Sequence, residues 1–151
     1  MKIVRDSNPA LFFSKKETEA IIAAIRKAEM RTSGEIRVHL ERKAREPFLE
    51  HGKEVFEKLG MTRTKDRNGV LIFMGLASRR FAVLGDTGIH AKVQESFWAD
   101  IAQILEREFK EDRFADGIIQ AVERIGESLR THYPYERSDV NELPDEISYS
   151  Y

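Results

Sequence analysis

Gly69-Val70-Leu71-Ile72-Phe73-Met74 is an unbroken apolar run, bounded by Asp66-Arg67-Asn68 on one side and Gly75 on the other. A strand of this length with no polar alternation has to be covered on both faces, so the chain needs a sheet with helices packed on either side. The link that follows, Gly75-Leu76-Ala77-Ser78-Arg79, is too short for a parallel crossover. Arg80-Phe81-Ala82-Val83-Leu84-Gly85 must therefore return antiparallel, as a hairpin.

Upstream, Glu35-Ile36-Arg37-Val38-His39-Leu40-Glu41 alternates strictly, which predicts a strand with Ile36, Val38 and Leu40 inward and a polar opposite face. A helix is expected before it, from about Lys15 to Arg31, capped by Ser14 with Glu17 three residues on and ended at Thr32-Ser33-Gly34 by glycine's left-handed freedom. A second helix, from Pro47 in its first turn to Gly60, joins the two strands and makes them a parallel pair. Two more helices are expected, one through Val93, Phe97, Ile101, Ile104 and Leu105 and one through Ile118, Val122, Ile125 and Leu129. The fold class is thus α/β, a small mixed sheet of a parallel pair plus an antiparallel hairpin strand with helices on both faces. Residues 1–14 read as an N-terminal extension, 15–133 as one domain and 134–151 as an acidic tail without strand or helix period, draped over the domain or loose.

Connectivity brings three acidic or amide-bearing turns to one sheet edge. The parallel strands begin there at Ser33-Gly34-Glu35 and after Asp66-Arg67-Asn68, and the hairpin strand ends there at Asp86-Thr87-Gly88. Carboxylates, an amide carbonyl and backbone carbonyls on loops are the ligands of a hard cation, calcium first and magnesium second. Glu35, Asp66, Asn68 and Asp86 are the candidate ligands. The same residues have a plainer reading, since Asn68-Gly69 is a turn dipeptide and Asp86-Thr87-Gly88 a helix start. Asp66-x-Asn68-Gly69 matches only the opening of an EF-hand loop, without its closing glutamate.

The 151 residues are 41% hydrophobic and 34% charged, enough for one domain with a sizeable core. Twenty-five Lys plus Arg against 26 Asp plus Glu leave a net charge of -1, which removes nucleic acid as a first expectation. The absence of cysteine removes disulfides, thiolate metal sites and cysteine catalysis. No apolar run approaches a membrane span, and Arg5 and Asp6 interrupt the N-terminus where a signal peptide needs apolar residues, so a cytoplasmic location is expected.

Ser33-Gly34-Glu35-Ile36-Arg37-Val38, Asn68-Gly69-Val70-Leu71-Ile72, Val83-Leu84-Gly85-Asp86-Thr87-Gly88-Ile89 and Phe114-Ala115-Asp116-Gly117-Ile118 follow one another in the order of the TPM domain family, which the chain resembles over most of residues 15 to 133. The family is named after a thylakoid lumen protein, a photosystem II repair protein and a worm receptor modulator. The resemblance implies one α/β domain with acidic loops at a sheet edge. It also implies association with calcium or another divalent cation, and the phosphatase activity proposed for plant relatives. The acidic positions matching those loops are Glu35, Asp66 and Asp86. Asp116 matches as well but is equally a helix N-terminal acid. Related bacterial chains share the Asn141-Glu142-Leu143-Pro144-Asp145-Glu146 tail. Many members carry an export signal and a following transmembrane helix, and this sequence is expected to depart from them in both.

Two functions compete. As a binding module, the acidic edge holds a divalent cation for structure or for recognition of a protein partner, and no general base is needed. As an enzyme, it hydrolyses phosphomonoesters with metal assistance: Asp66 and Asp86 hold the ion, Glu35 positions water and Arg67 neutralises phosphate. No nucleophile motif or phosphate-cradling glycine loop supports covalent catalysis. Arg63, Lys65 and Arg67 sit near one sheet edge and Arg79 and Arg80 near the other, which is a solvated surface rather than a nucleic-acid patch. Among the four histidines, His90 beside Asp86 is the one placed to assist the edge, while His39, His51 and His132 show no paired-ligand spacing.

Overall fold

A computed structural model describes residues 5–135 and 147–151. The apolar run is β2 (Gly69–Gly75), buried at every position. It pairs in parallel with β1 (Glu35–Glu41), Glu35 opposite Gly69, and antiparallel with β3 (Arg80–Gly85), Val70 opposite Gly85. The hairpin and the crossover expected from link lengths are both present. A fourth strand, β4 (Ser148–Ser150), lies parallel to β1 and completes the order β3-β2-β1-β4.

One face of the sheet carries α2 (Lys15–Glu29), α5 (Glu95–Lys110) and α6 (Phe114–His132), with the short α1 (Pro9–Phe12) and α4 (Thr87–Lys92) at its margins. Ile21 and Ile25 of α2, Ile101 and Leu105 of α5, and Ile118, Val122, Ile125 and Leu129 of α6 are each 0% exposed, against Ile36, Val38, Leu40 and Ile72 of the sheet. Each such side chain contributes about 2 kcal/mol by leaving water. Phe12 and Phe13, from the first 14 residues, join this core. The other face is covered by α3 (Phe48–Lys58), which presses Phe48, Val55 and Phe56 onto Leu71 and Phe73.

Four local expectations need correction. The polar face of β1 is not solvated, because α3 packs over that side of the sheet and β4 flanks β1; His39 and Glu41 are 3% and 7% exposed. The helix drawn through Val93 to Leu105 is two elements, Val93 closing α4 and Gln94 opening α5. Pro47 caps α3 from outside instead of filling its first turn. Gly34 is not left-handed, since among the described residues Gly60 alone of the glycines has positive φ; a Cβ at Gly34 would fall 2.7 Å from Leu129 Cδ2, so close packing on α6 requires it. The predicted Asn141 to Glu146 motif lies outside the described residues, but the end of the tail does drape on the domain, as β4.

Candidate functional site

The sheet edge expected to gather the acidic turns does so. β1 and β2 start there in register, and β3 ends there. Thr64 builds the loop before β2: its carbonyl accepts from Arg67 N–H and its hydroxyl from Asn68 N–H, both at 3.3 Å. Thr32 closes the other side by donating its hydroxyl to the carbonyls of Leu129 and Tyr133 and accepting from Gly34 N–H. Between these two clamps a chain of polar groups runs in one donor direction. The Asn68 amide Nδ2–H donates to Ser33 Oγ at 3.2 Å, and the Ser33 hydroxyl points on to Asp66 Oδ2 at 3.5 Å, a long contact. Asn68 is 1% exposed, and its carbonyl oxygen Oδ1 accepts no hydrogen bond. An orphaned buried acceptor of this kind costs about 1–3 kcal/mol unless something fills it.

Asp86, 5% exposed, caps α4 by accepting from Thr87 N–H at 2.8 Å. Arg67 grips the same carboxylate with both arms, Nε to Oδ2 at 2.6 Å and Nη2 to Oδ1 at 2.8 Å. The Arg67 side chain is 45% exposed and that of Asp86 only 4%, so the arginine is the movable member of the pair. Arg67 holds a positive φ of 52°, which turns its carbonyl toward Gly88 N–H at 2.8 Å and Ile89 N–H at 3.3 Å. That contact leaves no room for a side chain at residue 88, where a Cβ would stand 2.1 Å from the Asp66 carbonyl oxygen.

Glu35 is 2% exposed at the start of β1, and Asp66 is exposed on its loop. Burial, joined by the Asp66 charge, raises the Tyr133 phenol above its ordinary 10.0. The four predicted ligands thus share one edge, with Asp66 reaching Asn68 through Ser33 and Asp86 held apart by Arg67. Among the described residues, no group of three or more His, Asp or Glu side chains is arranged to hold a metal ion. Ser33 was expected in the first of the three turns but without a ligand role; Tyr133 was not foreseen as a member of the edge, because it arrives from the far end of α6, which only the folded chain reveals. Asp116 is exposed in the first turn of α6, consistent with its dipole role.

A second polar cluster lies inside the sheet–α3 layer. His39 Nε2 meets Glu41 Oε1 at 2.9 Å, and His51 Nε2 meets the same oxygen at 3.7 Å. His51 Nδ1 accepts from Arg45 N–H at 2.8 Å, so its proton is on Nε2 and faces the carboxylate. His39 Nδ1 pairs with Ser148 Oγ at 2.8 Å, and both rings lie on Phe73. Burial lowers the His39 pKa below its ordinary 6.5, with Glu41 pulling the other way. Spacing alone could not reveal this pairing, because α3 brings His51 over the strand. His90 is exposed and stacked on Trp98 at 5.8 Å, and His132 sits exposed in the last turn of α6.

Fold and edge together define a class: a small α/β domain whose loops present oxygen donors at one end of a mixed sheet. The model of the TPM domain matches residues 7–128. The chain belongs to the TPM domain family. It is similar to the BA42 protein of the psychrophilic bacterium Bizionia argentinensis, whose NMR structure superposes with a TM-score of 0.89 at 36% identity, covering 96% of this chain and 100% of that one. Comparison with curated proteins returns no match. No helix among the described residues is long and apolar enough to cross a membrane.

Proposed function

We propose that this TPM domain binds a divalent cation at the acidic edge, calcium in preference to magnesium, with a role in structure or partner recognition. The reading rests on Asn68 Oδ1, a buried carbonyl oxygen without a donor, set beside the Ser33 hydroxyl and the Asp66 carboxylate. The donor set is all oxygen, which suits a hard ion. Asn68 and Asp66 would hold the ion, with Glu35 and Asp86 completing the charge; Asp86 becomes available when Arg67 swings out to solvent. Calorimetric titration of metal-free protein with calcium and then magnesium tests this. Saturable binding lost in Asp66→Ala and Asn68→Ala is expected, and an absence of binding heat and of amide shifts at millimolar calcium would sink it.

Metal-assisted phosphomonoester hydrolysis is the second reading, and Arg67 is the observation that favours it. Its exposed guanidinium stands at the same edge and is geometrically suited to a phosphate as well as to Asp86. A bound ion would supply charge neutralisation at the phosphate oxygens, Glu35 would position water and Arg67 would pair with the phosphate. Turnover of para-nitrophenyl phosphate in calcium or magnesium, lost in Arg67→Ala, distinguishes this from binding alone.

A further inference from the structure

Arg67 and Asp86 meet as a fork on a carboxylate, yet the two partners are held very differently. Asp86 is fixed, because its side chain is buried and its Oδ1 also accepts from Thr87 N–H at 2.8 Å. Arg67 is fixed only in its backbone, where its carbonyl accepts from Gly88 N–H at 2.8 Å and Ile89 N–H at 3.3 Å. Its side chain reaches solvent and, among the described residues, makes no ion pair other than that with Asp86. Rotation about side-chain bonds is therefore enough to open the clasp, and the loop that carries Arg67 stays in place.

Two kinds of ligand compete with this pair from opposite sides. The Nε and Nη2 donors form the edge of a guanidinium that can bind a phosphate with two parallel bonds, and the Asp86 carboxylate fills that edge. The same carboxylate is one that a cation at this end of the sheet would draw on. An oxyanion that takes Arg67 alone strands Asp86 as a buried charge without a partner, which is strongly unfavourable. A cation that takes Asp86 alone must break a two-bond ion pair. With both ligands present the pair is broken once for two binding events, and neither the carboxylate nor the guanidinium is left without an opposite charge.

Resting on the divalent-cation reading of this edge, we propose that the Arg67–Asp86 clasp couples cation binding to the binding of a phosphate-type dianion. Asp86 exchanges Arg67 for the ion, and the released Arg67 pairs with the anion. The coupling is reciprocal by linkage, so each ligand raises the affinity for the other by the same factor. A carboxylate ligand suits the clasp less well, because the fork uses both of its oxygens, whereas a phosphate keeps a further oxygen for the ion.

Phenylphosphonate, which carries the dianion but no scissile ester bond, is the probe, and benzoate is its carboxylate counterpart. Each is titrated by calorimetry into the full chain, in chelator and then in calcium, and the Arg67 Nε–H signal is followed by NMR. Calcium is expected to tighten phenylphosphonate binding about tenfold and, before any anion is added, to shift the Nε–H signal as the bond to Asp86 is released. Asp86→Asn keeps a good capping residue for α4 and removes the charge that holds Arg67. In that variant phenylphosphonate should bind without calcium, and calcium should no longer improve it. Arg67→Ala should abolish the calcium-dependent gain while calcium still binds. Calcium that binds yet leaves phenylphosphonate affinity and the Nε–H signal unchanged overturns the coupling and leaves the cation reading standing; calcium that does not bind removes both. A gain that survives Arg67→Ala overturns the role of Arg67, and benzoate gaining as much as phenylphosphonate overturns the choice of a phosphate-type ligand.

Discussion

Gly88 is the residue on which the acidic edge closes most tightly. Gly88→Ala would drive a Cβ into two carbonyl oxygens, Asp66 at 2.1 Å and Arg67 at 2.6 Å, and backbone cannot step aside as a side-chain tip can. A loss of about 3 kcal/mol in urea denaturation is expected, at the upper end for overpacking. Arg67→Ala acts in a different way. It removes a cation that neutralises buried Asp86, so the folded protein should lose stability without metal, while calcium affinity should rise because the guanidinium no longer competes for the carboxylate. Calorimetry and urea denaturation of the same variant separate the two effects, and a fall in affinity would remove Arg67 as a competitor. At this scale the sequence showed which residues share the edge, because strand direction alone carries that information. It did not show that Arg67 clasps Asp86, since Arg67's left-handed backbone and the Gly88 contact depend on how the loop folds.

Among the elements, α2 is the one whose start is written most plainly in the chain. Ser14 Oγ accepts from Glu17 N–H at 3.0 Å and Glu17 Oε1 accepts from Ser14 N–H at 2.9 Å, the reciprocal box expected from the residue types. Ser14→Ala should cost about 1 kcal/mol in thermal or urea unfolding. Glu17→Ala should cost more, because Glu17 also holds Arg5 by two bonds, at 2.9 and 2.8 Å, over the Phe12, Phe13 and Phe114 rings. β4 is the opposite case. Its three residues carry no readable period, and it becomes a strand only because β1 offers a ladder and His39 a partner for Ser148. Ser148→Ala should weaken that docking by about 1 kcal/mol and speed hydrogen exchange at Arg42 N–H, just past the end of β1, ahead of the β1 amides. Unchanged Arg42 exchange would mean that Ser148 does not hold β4. The β1 face was misread for a related reason: alternation reports which residues differ, and a polar row covered by α3 alternates just as a solvated one does.

For the molecule as a whole, acidification should unfold it in two stages. His39 has a folded pKa below its ordinary 6.5, so the unfolded chain binds a proton that the folded chain refuses; stability is full above about pH 6.5 and falls as pH drops below it. Glu17 and Glu108 are held down to about 2 from 4.5, chiefly by their hydrogen bonds from Arg5 and Arg113, so their contribution is present above pH 4.5 and lost as pH falls toward 2. Urea midpoints from pH 8 to pH 2.5 should show both declines, with His39→Gln flattening the first and Glu17→Gln the second; a flat profile between pH 7.5 and 5 would refute the buried neutral histidine. Architecture on this scale was readable because link lengths dictate pairing and β2 demands two helical layers. The docking of β4 beside β1 was not, since it joins residues far apart in the chain. Trp98, the chain's one tryptophan, stands over Gly85 at the end of β3, with the His90 imidazole stacked on its indole. Its emission is therefore a local optical signal: any change in how α5 packs over the end of β3 changes the surroundings of the indole, and fluorescence can follow this part of the sheet without any added label.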